Sequence, residues 1–371
     1  MISKIKELAK VYKDRVIDIR RHLHKHPELS FKEYNTSKYV MSILDELGIS
    51  YRDGLGSGTG ITGVIGQGDR TIALRADMDA LPIQEESDVE YRSRNEGIMH
   101  ACGHDVHTAS LLGTLFILKN IEDKLDHKIK FIFQPGEEQL PGGASMMIAD
   151  GALKSPEVSQ IYGQHVHPSL PVGKIGYHPG FFMASCDELF ITVIGQGGHG
   201  AMPQDTIDPI MISAEIIQSL QTIVSRNALP NTPSVLSIGK INSDGGATNV
   251  IPSKVMMEGT FRTFDEAWRK RAHELIEKRI TYIIQSHGAQ VELEIKKGYP
   301  SLYNDPSMTH VARDLMVDYL GAEHVIELPQ RMTAEDFSYY SQVVPACFYR
   351  LGTASTDGAK SSPVHLSLIH I

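Results

Sequence analysis

The order of strand-like and helix-like segments between residues 71 and 167 is the feature that most restricts the fold. Apolar runs typical of strands alternate there with helical patterns, in the order TIALRAD, HTASLLGTLFILKN, HKIKFIFQP, GGASMMIADGAL and SQIYGQHV. Nearly continuous apolar strands joined through helices are typical of a parallel sheet with helices on both faces. We therefore predict an α/β fold with a mainly parallel sheet.

The segment from Asp187 to Gly298 follows a different rhythm. Its strand candidates are ELFITVIG, SVLSIGKI, KVMMEGTFRTF and QVELEIKKG, and its helical stretches are 206–226 and 265–287. The resulting βαββαβ order is that of the ferredoxin-like fold, which can bury its own core. We predict that residues 181–297 form a ferredoxin-like α+β domain, inserted into an α/β domain made of residues 1–180 and 298–371.

Composition and charge exclude several kinds of partner. The 371 residues are 41% hydrophobic and carry a net charge of −9, the balance of a globular protein without a basic surface for nucleic acid. The sequence contains neither a run of 18 apolar residues nor an apolar signal segment, so we expect no membrane span. Three widely separated cysteines fit a reducing compartment, and we expect a cytoplasmic protein.

The N-terminal segment has the apolar spacing of an amphipathic helix that ends at Pro27. His22, His24 and His26 lie near its end at positions i, i+2 and i+4, where successive side chains face different directions. We predict that all three are solvated and that the helix dipole favours their charge.

Metal-type side chains follow the strands of the predicted parallel sheet. In such sheets, sites form beyond the carboxyl ends of the strands. The stretch MHACGHDVH lies directly before a predicted helix and therefore at the same edge. The side chains delivered to this edge are Asp77, Asp79, Cys102, His104, Glu137, Glu138, His165 and His167. Carboxylate, imidazole and thiolate together favour a borderline cation such as Zn²⁺ or Mn²⁺.

The spacing of these residues favours an open catalytic centre over a structural zinc site. A structural site uses four Cys or His ligands at short regular spacings, whereas Cys102 and His104 are separated by one residue and accompanied by scattered carboxylates. The adjacent glutamates allow a division of labour. If Glu138 binds metal, Glu137 is free to take a proton from water.

Seven motifs together resemble the amidohydrolase branch of the M20 metallopeptidase family, which includes hippurate hydrolases, N-acyl-amino-acid deacetylases and auxin-conjugate hydrolases. Spread over nearly the whole chain, they are RRHLHKHPELSFKEY, RADMDALP, MHACGHDVH, FQPGEE, GQHV, GGHGAMP and TNVIP. The pair HACGHD and FQPGEE is highly specific. The resemblance implies that the α/β domain is catalytic, and that the inserted domain is a lid through which two copies form a homodimer.

The resemblance also implies two divalent ions per subunit, Mn²⁺ or Zn²⁺, with Co²⁺ and Ni²⁺ as alternatives. The implied ligands are Cys102, His104, Glu138, His165 and His365. Cys102 would bridge the ions. Glu137 takes the position of the general base, and Asp77 or Asp79 would orient ligands.

Three further roles are implied for the inserted domain. His199 would reach the active site of the neighbouring subunit and stabilise the oxyanion. Asn249 and Arg262 would face the carboxylate of the substrate.

These expectations combine into hydrolysis of the amide bond of an N-acyl amino acid, hippurate-like or N-acetyl-amino-acid-like, to a carboxylic acid and a free amino acid. Two rivals stay open: a dipeptidase or aminopeptidase of the same family, and a metal-dependent binding protein without turnover. The presence of both Glu137 and Glu138 argues against the binding protein, which needs a ligand but no base. Acetyl, benzoyl, succinyl and longer acyl groups are all compatible with these motifs.

The end of the sequence follows the family pattern only as far as His365. The six residues 366–371, LSLIHI, resemble the translation of a transposase end sequence that serves as an adaptor in sequencing libraries. We expect this tail to derive from the adaptor and the natural chain to continue beyond His365. The alternative is a short native apolar tail.

Overall fold

The computed structural model describes residues 1–355 and 362–368, so residues 369–371 of the expected adaptor-derived tail lie outside the described residues. The chain folds as two compact units. The first contains Met1–Phe182, Tyr303–Gln330 and the described residues from Glu335 onward, and the second contains Met183–Leu302 and Arg331–Ala334. Within the described ranges, no helix combines the length and the apolar character needed to cross a membrane.

The first unit is built around a large mixed sheet with helices. Its helices are α1 (Ile2–Lys25), α2 (Tyr34–Glu46), α3 (His104–Asn120), α4 (Gly143–Ala149), α7 (Pro306–Leu320) and α8 (Ser338–Ser341). Its strands are β1 (Tyr51–Leu55), β2 (Gly60–Ile65), β3 (Thr71–Asp77), β4 (Lys128–Gln134), β5 (Gln160–Pro171), β6 (Ile175–Tyr177), β7 (Gly180–Met183), β14 (Leu302–Asn304), β15 (Val325–Glu327) and β16 (Ala346–Ala354).

The large sheet has the order β1-β2-β4-β3-β5-β16-β6-β15. Its centre, β4-β3-β5-β16, is parallel, and Leu74 of β3 pairs with Phe131 of β4 and Tyr162 of β5. The pairs β1–β2, β2–β4 and β16–β6 are antiparallel. This architecture confirms the predicted α/β fold, and parallel pairing places the ends of β3 and β4 at one edge, as the strand-end argument requires.

The prediction that His165 and His167 follow the end of a strand was wrong. Strand β5 runs from Gln160 to Pro171, so both His165 and His167 lie inside it. The strand continues because β16 pairs with it over this stretch, with Arg350 opposite His165 and Gly352 opposite His167. Backbone pairing thus outweighs the loss of apolar character at these positions.

The second unit has the element order expected for a ferredoxin-like fold, with one additional small ribbon. Its elements are β8 (Asp187–Ile194), β9 (Gly198–His199), α5 (Pro209–Asn227), β10 (Ser234–Ser243), β11 (Val250–Ile251), β12 (Lys254–Thr263), α6 (Glu266–His287) and β13 (Gln290–Lys297). The four-stranded sheet is antiparallel with the order β10-β12-β8-β13. Strands β9 and β11 form the ribbon.

Local signals explain where the helices of the second unit begin and what they bury. Asp208 and Asp265 accept hydrogen bonds from backbone N–H groups in the first turns of α5 and α6, and therefore cap these helices. Buried apolar side chains of both helices, including Ile216 and Ile280, pack with Ile191 of β8. The second unit therefore has a hydrophobic core of its own.

The N-terminal helix ends at Lys25, close to the predicted end, but one of its histidines departs from the prediction. His24 is only 1% exposed, and its ring nitrogens lie 2.9 Å from Asp105 and 3.2 Å from Glu85. The prediction of a solvated His24 was wrong because helix periodicity cannot reveal carboxylates supplied from distant parts of the chain. His22 and His26 are partly exposed.

Candidate metal centre

The start of α3 and the loop after β4 bring the central donors of the site together. Gly103 takes a left-handed conformation, with φ of 86°, directly before the first residue of α3. This turn lies between Cys102 and His104 and positions both side chains at the N-terminus of the helix. Glu137 and Glu138 follow β4 after a two-residue connection.

A thiol lies at the middle of the donor cluster. The Sγ atom of Cys102 is 3.3 Å from Nε2 of His165 and 3.3 Å from Nε2 of His365. The same Nε2 of His365 is 3.2 Å from Oε1 of Glu138. Two groups of possible donors, each with its atoms within 4.8 Å of one another, therefore share Cys102.

His104 completes the cluster and is the clearest sign that a cation belongs there. Its Nε2 atom is buried and lies 3.9 Å from both Glu137 and Glu138, but it has no hydrogen-bond partner within the described ranges. An orphaned buried nitrogen is costly unless something else satisfies it. Its carboxylate, thiolate and imidazole neighbours form the donor set of a borderline divalent ion, so the residues present fit such an ion.

Neighbouring groups fix which ring nitrogen of each histidine faces the cluster. Nδ1 of His104 donates to Asp79 at 3.1 Å, and Nδ1 of His165 donates to the carbonyl of Val166 at 2.8 Å. In both rings this leaves the lone pair of Nε2 directed to the cluster and available to a metal ion, which is the usual arrangement of ligating histidines.

His107, the third histidine of the motif, is occupied differently. Its Nε2 accepts a hydrogen bond from the backbone N–H of Val166 at 2.9 Å, and its Nδ1 donates to Asp77 at 2.6 Å. Both ring nitrogens are therefore used within the protein. His107 supports the strand that carries His165, while His167 lies roughly 7 Å farther along that strand.

The electrostatics of the cluster also favour a cation. Burial lowers the pKa of His104, but Asp77, Asp79 and Glu138 outweigh burial and raise this pKa to about 10. Burial, together with Glu335 and Glu138, raises the pKa of Glu137 well above its usual range. Burial, Glu138 and Glu137 do the same to the thiol of Cys102. Burial and mutual repulsion therefore disfavour the charged forms of these acidic groups, and a divalent ion would offset that repulsion.

The structure adds a buried network that the sequence interpretation missed. Arg75, inside β3, donates to Asp77 at 2.6 Å, to Asp336 at 2.6 Å and to Gln134 at 2.8 Å. The backbone N–H of Asp336 in turn donates to Glu137 at 3.4 Å. The one available signal was an arginine inside the apolar strand TIALRAD, because a buried cation requires nearby acceptors. Its partner Asp336 lies 261 positions away.

The remaining predicted residues belong to the second unit. His199 is exposed on β9, where it pairs with Val250, and the N–H of Gly200 donates to the carbonyl of the neighbouring Asn249 at 2.7 Å. His199 and Asn249 are thus brought together by the ribbon. Arg262 lies on β12 and donates to the carbonyl of Met332 at 3.0 Å.

Comparison with known proteins decides the family. The sequence pattern of peptidase family M20/M25/M40 matches residues 73–366. The chain belongs to this family. It is 44% identical to the N-acyl-L-amino acid amidohydrolase of Geobacillus stearothermophilus over 303 residues, 81% of each chain. It is 39% identical to thermostable carboxypeptidase 2 of Saccharolobus solfataricus over 371 residues, 99% of this chain and 93% of the relative.

A solved structure of an M20 protein has a similar fold. It is that of the Bacillus subtilis YXEP protein, described as a dinuclear metal-binding peptidase, with 36% identity, a TM-score of 0.82, and coverage of 98% of this chain and 93% of that one. The predicted resemblance is therefore confirmed. The protein is an M20 metal-dependent amidohydrolase.

Proposed function

We propose that the protein hydrolyses the amide bond of N-acyl amino acids. The observation that supports this most directly is the difference between the surroundings of Glu137 and Glu138. Glu138 contacts His365 in the donor cluster, whereas Glu137 accepts a hydrogen bond from the buried backbone N–H of Asp336. We therefore assign Glu138 to the ligands and Glu137 to the role of base. The Geobacillus relative named an N-acyl-L-amino acid amidohydrolase supports the substrate class.

Five side chains would hold two divalent ions, with Mn²⁺ or Zn²⁺ as the preferred occupants. These side chains are Cys102, His104, Glu138, His165 and His365. When bound, the ions supply Lewis acidity at the amide carbonyl and at the attacking water. Asp79 orients His104 through Nδ1 and also accepts from the backbone N–H of Glu138 at 3.0 Å, so it fixes two ligands at once.

Glu137 carries out the proton transfers. It takes a proton from the attacking water and gives it to the nitrogen of the leaving amino acid. Burial next to other carboxylates makes its carboxyl group a good proton acceptor. The guanidinium group of Arg75 pairs with Asp77 and Asp336 and compensates their charge. It thereby holds these carboxylates in place near Glu137.

The substrate carboxylate and the oxyanion are assigned to the second unit. We propose that Arg262 and Asn249 bind the carboxylate of the amino-acid portion, and that His199 donates to the oxyanion in the neighbouring subunit of a homodimer. Arg262 suits a carboxylate because its guanidinium group can donate in parallel to both oxygens. The exposure of His199 leaves it accessible to a second chain.

Carboxypeptidase activity is a second candidate, favoured by the Saccharolobus relative of that name. The two activities cleave the same type of bond, since in both the leaving amine belongs to an amino acid with a free carboxylate. They differ only in the acyl side, which is a simple acid in one case and a peptide in the other. Recognition of the carboxylate is therefore common to both, and the acyl-side pocket separates them.

A substrate panel tests these assignments. Protein freed of metal by a chelator is supplied with Mn²⁺, Zn²⁺, Co²⁺ or Ni²⁺ and assayed on N-acetyl, N-benzoyl and N-succinyl amino acids, on their carboxamide analogues, and on free and N-blocked dipeptides. We expect the carboxylates to be cleaved and their carboxamides to be poor substrates. Preference for N-blocked dipeptides would select the carboxypeptidase, and preference for free dipeptides would overturn both assignments in favour of an aminopeptidase.

A further inference from the structure

The motif HPELSFKEY, residues 26–34, leads from the end of α1 into a short segment beside the loop Pro135–Glu138. We name this loop, which carries Glu137 and Glu138, the catalytic loop. The backbone of Leu29 forms a parallel bridge with Ala80, and the N–H of Ala80 donates to the carbonyl of Glu28 at 2.8 Å. This pairing fixes residues 28–33 next to the end of β3. The segment Ser30–Glu33 then contacts the loop Pro135–Glu138 at several points.

Glu33 makes the most direct of these contacts. Its side chain is fully buried, and Oε1 accepts a hydrogen bond from the backbone N–H of Gly136 at 2.8 Å and from its near neighbour Phe31 at 2.9 Å. Its other oxygen, Oε2, accepts from the hydroxyl of Thr59 at 2.9 Å. Because protein donors engage both oxygens, Glu33 is placed to hold the loop through Gly136, the residue before Glu137.

The aromatic ring of Phe31 packs against the same glycine. Gly136 has φ of 60°, and a Cβ atom at this position would lie only 2.1 Å from Cε1 of Phe31. The ring therefore lies directly against the glycine. Phe31 itself has φ of 65°, a left-handed conformation that a bulky residue rarely adopts and that the surrounding structure must enforce.

Ser30 extends the contact to the ligands. Its hydroxyl donates to Oδ2 of Asp79 at 2.6 Å, and the same oxygen accepts from the backbone N–H of Glu138 at 3.0 Å. The other oxygen of Asp79 holds His104. Residues 30, 31 and 33 thus secure both ends of the Gly136–Glu138 segment, one through Gly136 and the other through Asp79.

We propose that Ser30–Glu33 is a clamp on the catalytic loop, in which Glu33 is a positioning residue for Glu137. This inference rests on the proposed role of Glu137 as the base. Glu33 acts through the N–H of Gly136 and contributes a hydrogen-bond acceptor at a fixed distance. Its replacement by an apolar side chain leaves Gly136 without its acceptor and lets the loop rotate, so Glu137 points away from the attacking water for part of the time.

The test compares three variants of the full chain loaded with Mn²⁺. In Glu33→Leu the acceptor is lost, and we expect kcat to fall by about 10–100-fold, the range for groups that orient functional residues. KM should change by no more than about threefold, because substrate contacts are retained. Glu33→Gln keeps an acceptor oxygen and should restore most of kcat. Thr59→Val is the matched control, since it removes the bond to the opposite oxygen of Glu33 and should leave kcat nearly unchanged.

Each kcat is expressed per folded, metal-loaded protein, with metal content measured by elemental analysis and folding by thermal unfolding. The proposal is overturned if Glu33→Leu keeps wild-type kcat on this basis, or if Glu33→Gln loses as much as Glu33→Leu. If Glu33→Leu does not fold, Glu33→Asp decides: its shorter side chain cannot reach Gly136, so unchanged kcat refutes the clamp.

A Glu137→Gln variant measured in parallel separates failure of the clamp from failure of the proposed function. An active Glu137→Gln enzyme refutes the proposed role of Glu137 whatever the Glu33 variants do. An inactive Glu137→Gln enzyme combined with an unaffected Glu33→Leu enzyme refutes only the clamp.

Discussion

Two groups of histidines to which we assign roles in the proposed function are held in very different ways. His104 and His165 are buried, and a hydrogen bond from Nδ1 fixes the orientation of each ring. His365 has a side chain that is 52% exposed, and His199 is exposed on a two-stranded ribbon. Buried histidines keep their geometry before any ligand arrives, whereas exposed ones gain it when a metal ion or a second chain restrains them. The difference predicts how substitutions in the two regions will act.

The largest effect is expected at the buried base. Glu137→Gln should lower kcat by roughly 10²–10⁴-fold while metal content stays normal, because the amide cannot accept the proton of water. Steady-state kinetics and elemental analysis on the same sample check this. The exposed Glu90→Gln serves as control and should match the wild type. Loss of metal together with activity would instead assign Glu137 as a ligand.

The next effect concerns the exposed region. His199→Ala should lower kcat by about 10²–10³-fold, the cost of losing one oxyanion donor, without changing metal content. Mixing it with Glu137→Gln under conditions of subunit exchange should restore part of the activity, because one site of each hybrid dimer then combines an intact Glu137 with an intact His199. The exposed His310→Ala provides the control. Mixed dimers without rescue would refute a role across subunits.

A smaller effect should distinguish ligands whose rings are oriented by a hydrogen bond, such as His104, from ligands without this support. Asp79→Asn weakens the bond that orients His104, and we expect metal affinity to fall by about 10–100-fold. Competition with a chelator of known affinity measures the change, with the exposed Asp88→Asn as reference. Equal affinity in Asp79→Asn and the reference would show that burial alone holds His104, and the proposed distinction between the two regions would be lost.

The smallest effect lies outside the donor cluster, at His24. Burial lowers the pKa of His24, but Asp105 and Glu85 outweigh burial and raise it to about 9. Because this folded-state pKa lies above the unfolded value of about 6.5, the stabilisation is complete below pH 6.5 and is lost as pH rises through 9. Relative to His24→Gln, the wild type should gain on the order of 1–3 kcal/mol near pH 6 and little at pH 10.

Urea unfolding of both proteins at the two pH values measures this difference, and His310→Gln controls for loss of an exposed imidazole. A difference that is independent of pH would mean that His24 stabilises the fold by packing rather than by charge. His24 would then resemble an ordinary core residue.

The sequence predicted those parts of the structure that follow from local pattern. The strands β3 and β4 and the helices α3, α5 and α6 begin and end close to their predicted positions, since apolar periodicity reflects which face is buried. The convergence of Cys102, His104 and Glu138 followed from one rule about strand ends. The place of β5 was also predicted, but its end was not, because pairing with β16 extends it.

What sequence reasoning missed depends on contacts between distant residues. Asp336 supports Glu137 from 199 positions away, and Asp105 meets His24 across 81 positions. No periodicity records such pairs. Glu33 lies in the motif RRHLHKHPELSFKEY, but nothing in its spacing from Gly136 indicates that the two are hydrogen-bonded. Individual roles such as those of Asn249 and Arg262 rest on resemblance and stay predictions.

The position of β16 has a consequence for biosynthesis. This strand, Ala346–Ala354, lies between β5 and β6 inside the large sheet, yet it is translated after the whole of the second unit. Most of the second unit lies in Met183–Leu302, where the first and last strands of its four-stranded sheet pair, with Asp187 opposite Lys297, so this sheet can form while translation is still in progress. Strand β5 of the large sheet therefore lacks its partner β16 until residue 354 has been synthesised. During that interval an unpaired strand edge is exposed, and such edges make partly folded chains prone to aggregation.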